Sequence, residues 1–304
     1  MYAVGDERGN DKAIAKLWKN GIATNLTDGT NTASANSVYV SGNDVYAVGF
    51  EFNGAKAIAK VWKNGIPMNL SNGLNAAFAT SVFVSEGVVY VSGNEIIGTH
   101  SVAKIWENGK ATNLSDGTND ADARSIFVFG NDVYAAGSEY DGNNTVAKYW
   151  KNGIPIVLTT GNFSASANAL FVSDNNVYIA GYEFNGTKNI AKVWKNGVPM
   201  NLTDGNNDAD ASAIFISKNN IYTAGYEYAE TTIAKIWNNM IGTNLSDGTL
   251  STDIHSVFVS ENNVYVAGDG SNGSKSVAKI WKNAVLTNLT DGSNNSFCYS
   301  VFVK

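Results

Sequence analysis

All seven tryptophans of this 304-residue chain stand in one motif, Ala-Lys-x-Trp, at Trp18, Trp62, Trp106, Trp150, Trp194, Trp237 and Trp281. They are 44 residues apart at every step but one, which is 43. Such a period means that each unit is one supersecondary element, unable to bury its apolar face alone and obliged to stack on its neighbours. The short step has a local cause. In "GYEYAETTIAKIW" one residue fewer separates Gly225 from Lys235 than separates Gly181 from Lys192, and the Asn-Gly of the sibling units is missing.

Each unit reads as four short strands. In residues 169–202 they are "ALFVS", "VYIAGYE", "NIAKVW" and "VPMNL", separated by "DNN", "FNGTK" and "KNG". Asn-Gly between β-branched and aromatic residues is a strong hairpin signal. Tandem four-stranded meanders of this length predict an all-β fold, a seven-bladed β-propeller of antiparallel blades forming a single domain over residues 1–304. The only prolines, Pro67, Pro155 and Pro199, share one position in the fourth strand. A residue without an N–H belongs on a sheet edge, so the fourth strand is expected outermost and "SVFV" and its relatives innermost. Met1 aligns with Val45 and Lys304 with Ser260. Residues 300–303 are therefore expected to supply the inner strand of the first blade, whose other strands lie between residue 2 and about residue 27. That closure removes a free sheet edge.

A first residue inside a blade fits natural ring closure or trimming from a longer protein, and trimming is the expectation here. A secreted or cell-surface bacterial setting goes with it, with any leader outside this chain. The net charge of −6 and pI near 5.0 supply no basic footprint, so nucleic acid is not expected as a partner. A lone cysteine, Cys298, excludes an internal disulfide framework and a multi-cysteine metal site. No apolar run approaches the roughly 20 residues that span a bilayer. Membrane insertion is not expected, and the chain is expected to be a monomer.

On these residues the chain resembles the highly repetitive bacterial-type β-propellers. It lacks the recurrent Trp-Asp, kelch-type Gly-Gly and sialidase-type Asp-box that mark named subfamilies. The resemblance implies a toroid with a central channel and ligand binding on the face that bears the blade-to-blade connections. It implies no particular chemistry, because one fold hosts many functions.

The repeated residues are read first as structure. The tryptophans, and the tyrosines of the second strand such as Tyr46 and Tyr178, suit the gaps between adjacent sheets. Glu7, Glu51, Glu95, Glu139, Glu183 and Glu227 stand two residues after the second-strand glycine, with Gly270 as the exception. Pairing the hairpin about its turn puts Lys192 opposite Gly181 and diagonal to Glu183, which predicts a structural surface ion pair in each blade that carries the glutamate. "SDGTNDADA" (115–123) and "TDGNNDADA" (203–211) carry the oxygens that Ca²⁺ prefers, but their spacing departs from the Asp-x-Asp-x-Asp-Gly loop. Turn chemistry is the expectation there, with no cofactor and no metal site assigned. Asn-Leu-Thr/Ser recurs six times as a strand end that matches a glycosylation sequon. His100 and His255 have no carboxylate or thiol at ligand spacing, and no Ser-His-Asp or Cys-His arrangement is assembled.

The copies differ most just before the inner strand. Alternate residues there stay mostly small, as in Ala33 and Ala35 or Ala165 and Ala167, while those between them vary. One variable ring is Asn36, Thr80, Arg124, Asn168, Ser212, His255 and Tyr299; a second is Ser34, Phe78, Asp122, Ser166, Asp210, Asp253 and Phe297. Both are expected at the channel mouth as candidate ligand-binding residues. The function expected is that of a non-catalytic binding or scaffold module, with glycans or a protein partner on the connection face. Binding would use either seven repeated lectin-like sites or one composite site at the mouth. The alternatives are a purely structural toroid, natural or engineered, and a hydrolase or lyase with its site at the mouth. Uniform blades without a long insertion weigh against catalysis, which needs one asymmetric constellation.

Overall fold

The computed structural model describes residues 1–9 and 12–304. It is a ring of seven four-stranded antiparallel sheets, with no helix among the described residues. Blade 1 is made of Asn295–Phe302, Tyr2–Gly9, Lys12–Lys19 and Ile22–Asn25, in that spatial order, so the last strand of the chain closes the ring beside the first. Blades 2 to 7 follow along the chain. Their inner strands are Ala33–Ser41, Ala77–Ser85, Ala121–Phe129, Ala165–Ser173, Asp208–Ser217 and Thr252–Ser260.

Three features of the sequence produce this order. The Lys-Asn-Gly turns hold Asn at φ near 50° and Gly near 80°, as at Asn152 (52°) and Gly153 (79°). That pair of left-handed residues makes a two-residue hairpin whose twist matches the strands it joins. The side chain of the same asparagine then braces the neighbouring hairpin: Asn152 Oδ1 accepts from Val133 N at 2.9 Å. The outer strands, four residues each, are exposed along most of their length, and Pro67, Pro155 and Pro199 lie in them opposite Trp62, Trp150 and Trp194. The Asn-Leu-Thr/Ser segment that follows has a structural task. Its leucine is buried in four of the six copies and half-buried in the other two, and in five of them its hydroxyl takes an N–H of the third strand, as when Ser115 Oγ accepts from Ala103 N at 3.1 Å.

There is no single core. Seven clusters of buried side chains occupy the seven joints between blades, and each contains one tryptophan. Trp194 of blade 5, for instance, reaches the Tyr134, Ala136 and Ala147 of blade 4. All seven indoles are 0–1 % exposed, which places them as packing between sheets. The third-place aromatics of the inner strands do something else. Tyr39, Phe83, Phe127, Phe171, Phe215, Phe258 and Phe302 form a closed circle of tilted contacts, with successive centroids 4.6–5.0 Å apart. They make a narrow aromatic collar around the channel axis.

The inner strands begin earlier than the alternating pattern indicates. Ala165 to Asn168 belong to the strand, and the two variable rings are part of it. A β-bulge explains why the pattern breaks. In every blade the pairing skips one inner-strand residue opposite the second-strand glycine, as between Ala167, paired with Gly181, and Ala169, paired with Ala180. A bulge exposes one unpaired residue and turns its side chain out of the ladder.

Candidate functional site

The skipped residues are Asn36, Thr80, Arg124, Asn168, Ser212, His255 and Tyr299, the whole of the first variable ring. All seven line one cavity of about 170 Å³ at the channel mouth. The inner strand presents its free edge to the channel, so its N–H groups need partners from outside the blade. Neighbouring blades supply them. Ser37 Oγ accepts from Val82 N (3.3 Å), Ser125 Oγ from Leu170 N (3.1 Å), Ser256 Oγ from Val301 N (3.2 Å) and Ser300 Oγ from Val38 N (3.2 Å). Blades 5 and 6 carry Ala169 and Ala213 at this position.

The bulge residues form a second belt of joints above these serines. Asn36 Nδ2 donates to Ala79 O (2.8 Å) and Thr80 Oγ1 to Ala123 O (2.6 Å). Arg124 donates through Nε to Asp122 Oδ2 (2.9 Å) and through Nη1 to Asn168 Oδ1 (2.7 Å), and Asn168 Nδ2 donates to Asp210 Oδ1 (2.6 Å). A continuous chain Asp122, Arg124, Asn168, Asp210 thus spans blades 4 to 6. Across the channel the chemistry differs. His255 Nε2 lies 2.9 Å from Asp269 Oδ1, and the His255 ring meets Tyr299 edge-on at 5.2 Å. Tyr299 stands beside Asp6, which is 3 % exposed, accepts from Ser34 Oγ at 2.9 Å and leaves Oδ2 without a partner. Burial pushes the Asp6 carboxyl up and the Tyr299 phenol up, the latter helped by the Asp6 and Asp269 charges.

The members of the second ring sit one step back and do not converge on the cavity. Phe78 packs edge-on against Phe50 (5.1 Å), and Phe297 stacks parallel to Tyr299 at 6.1 Å beneath the Arg8 guanidinium. Asp122 borders the adjacent groove with Arg124, and the Asp253 carboxyl is raised by burial and by Asp269. Burial also raises Asp210, to about 6, against the opposing pull of Arg124. Its native value lies above the unfolded 3.8, so the native state holds a proton between those values. The stability this provides is complete below 3.8 and is lost as pH rises through about 6. Asp210→Asn is expected to raise stability at pH 7.5 by on the order of 1 kcal/mol and to change it little at pH 4, measured by thermal denaturation at both.

Two sequence expectations need correction. His255 does have a carboxylate partner: Asp269 is 14 residues downstream, outside any ligand spacing along the chain, but the hairpin returns it across the strand. His100 Nδ1 likewise faces Asp120 Oδ1 at 3.6 Å. The Glu–Lys pairs are real but largely buried, with side chains 9–25 % exposed, rather than surface pairs. A third variable ring was missed altogether: Asp6, Phe50, Asn94, Ser138, Tyr182, Tyr226 and Asp269, each cross-strand partner to a second-ring residue. Its signal was present, since these residues differ freely between a second-strand glycine and a glutamate that scarcely change. The Asp-Gly segments are turns: Asp116 Oδ1 accepts from Thr118 N and Asp204 Oδ1 from Asn206 N.

No protein-family model matches the chain, and neither does any curated protein sequence. Among solved structures it is similar to a Mycobacterium tuberculosis puromycin-hydrolyzing peptidase, with a TM-score of 0.65 and 10 % identity over 96 % of this chain and 54 % of that one. The chain spans about half the length of that peptidase. The likeness at that identity is one of fold, and the chain is a seven-bladed β-propeller.

Proposed function

We propose that the protein is a binding propeller with one composite site at the channel mouth, taking a small, hydroxyl-rich ligand such as a single sugar ring. The observation that carries this reading is the convergence of seven different bulge side chains on one cavity. Amide, hydroxyl, guanidinium, imidazole and phenol groups all face it, the mixture of donors and acceptors that a polyol can satisfy. Seven equivalent lectin sites are disfavoured because the repeated groups are already occupied: the tryptophans are buried, and six of the seven lysines of Ala-Lys-x-Trp are held by glutamates. A glycan array followed by calorimetry tests the proposal. Binding with a stoichiometry near one, lost in Arg124→Ala, is the expected result; a stoichiometry near seven, or no binding to any glycan, counts against it.

A second reading has its own observation. The His255–Asp269 pair at the mouth is the arrangement in which a carboxylate orients an imidazole for general-base work, which keeps a hydrolase or lyase in view. The fold-level likeness to a peptidase adds a little to it. Hydrolysis of a peptide or ester panel that disappears in His255→Ala would move the protein into that class.

A further inference from the structure

The seventh ion pair is missing, and the gap is open to solvent. In six blades the lysine of Ala-Lys-x-Trp is held by the second-strand glutamate: Lys16–Glu7, Lys60–Glu51, Lys104–Glu95, Lys148–Glu139 and Lys192–Glu183 at 2.5–2.9 Å, and Lys235–Glu227. In blade 7 the glutamate position is Gly270, and Lys279 makes no ion pair among the described residues. Its amine has swung into the vacated space, 2.5 Å from where a Cβ on Gly270 would stand. The cross-strand partner has changed in concert. Five sibling glutamates face alanine and Glu7 faces Ser296, whereas Gly270 faces Thr252, whose Oγ1 lies 2.8 Å from the same Cβ position.

Lys279 lines a groove of about 500 Å³ between blades 6 and 7, together with the apolar Leu250 and Leu286 and the polar Asn244, Ser246 and Thr249. Neither acid nearby makes an ion pair with Lys279 among the described residues, although Asp247 also lines the groove. Asp247 Oδ1 accepts from the N–H and hydroxyl of Thr249, and Asp269, on the opposite face of the strand, is engaged by His255. Burial accordingly pushes the Lys279 amine below its ordinary value, with Asp269 opposing.

We infer that the Lys279 groove is a binding site for a small carboxylate-bearing ligand with a short apolar body, whose carboxylate takes the place that a glutamate of the chain fills in the other six blades. The site is separate from the channel mouth and does not depend on the reading given for it. The geometry for a charge-assisted contact of Lys279 with a carboxylate is already built into the blade, and the loss of glutamate and gain of threonine open a path to it.

Titration of the protein with 4-methylpentanoate, and with its neutral amide, tests this by ¹H–¹³C NMR of the lysine ε-methylenes, with the Lys279 signal assigned by its loss in Lys279→Met. The acid is expected to move the Lys279 signal saturably and to leave the six paired lysines in place, while the amide does neither. The double variant Gly270→Glu/Thr252→Ala recreates the sibling arrangement, so it is expected to fold and to weaken binding of the acid about tenfold or more. The inference is overturned if acid and amide act alike, if the acid leaves Lys279 unmoved, or if the folded double variant binds the acid as tightly as the native chain.

Discussion

A chain ending before Asn295 is expected to lose its cooperative thermal transition and to self-associate. Removing Asn295–Phe302 strips the second strand of blade 1, Tyr2–Gly9, of one of its two ladders and leaves a bare edge facing the channel. It takes Cys298 and Val301 out of the joint between blades 7 and 1, where they pack with Ala3, Trp18 and Ile280. It also removes Phe302 from the collar between Phe258 and Tyr39, and Ser300 from Val38 N. Burial of three such apolar side chains is worth about 1.5–3 kcal/mol each, so the loss is on the order of 5–10 kcal/mol before the edge is counted. An unpaired strand edge recruits other chains, and size exclusion should report oligomers. A synthetic peptide of residues 295–304 should restore the monomer by adding the missing strand in trans. A truncated chain that stays monomeric and melts as the intact one does would show that this strand does not hold the ring shut.

The architecture was legible because its determinants are local and repeated seven times. Asn-Gly turns set the hairpins, Pro67, Pro155 and Pro199 name the outer edge, and the frame shared by Val45 and Met1 puts the ring closure between the two ends. The candidate site was legible only as positions. The ring from Asn36 to Tyr299 stood out because it varies, yet its convergence depends on the bulge, which strand alternation conceals. A trace of it is in the sequence: the buried positions Ala33, Ala35, Val38 and Val40 change phase by one residue between 35 and 38. The partners were beyond reach for a different reason. Asp269 and Asp6 meet His255 and Tyr299 across strands, and which residues face each other over the hairpin depends on where the register slips. Gly270 looked like a mere exception until the lysine that it leaves unpaired could be located.

The bulge itself rests on the second-strand glycine, and Gly181→Ala is expected to destabilise the protein by about 3 kcal/mol or more. A Cβ at residue 181 would stand 1.9 Å from the Ser166 carbonyl oxygen and 2.9 Å from its carbon. Those are backbone atoms of the bulged strand, held on one side by the ladder and on the other by the next blade, so they have no cheap way to withdraw. The same distance to a carbonyl oxygen, 1.9–2.0 Å, recurs at Gly5, Gly49, Gly93, Gly137, Gly225 and Gly268, which is why no copy carries a side chain there. Gly197→Ala is the control. That glycine has φ of 81° and nothing within 4 Å of its Cβ position, so its replacement costs only the left-handed strain of about 1–2 kcal/mol. Chemical denaturation of both variants should therefore rank Gly181→Ala well below Gly197→Ala in stability. The site should follow the fold: any ligand that binds the mouth should bind Gly181→Ala more weakly, because the clash pushes the strand that aims Asn168 into the cavity. Equal stabilities for the two variants would mean that the inner strand can shed its bulge, and with it the convergence of the seven side chains at the mouth.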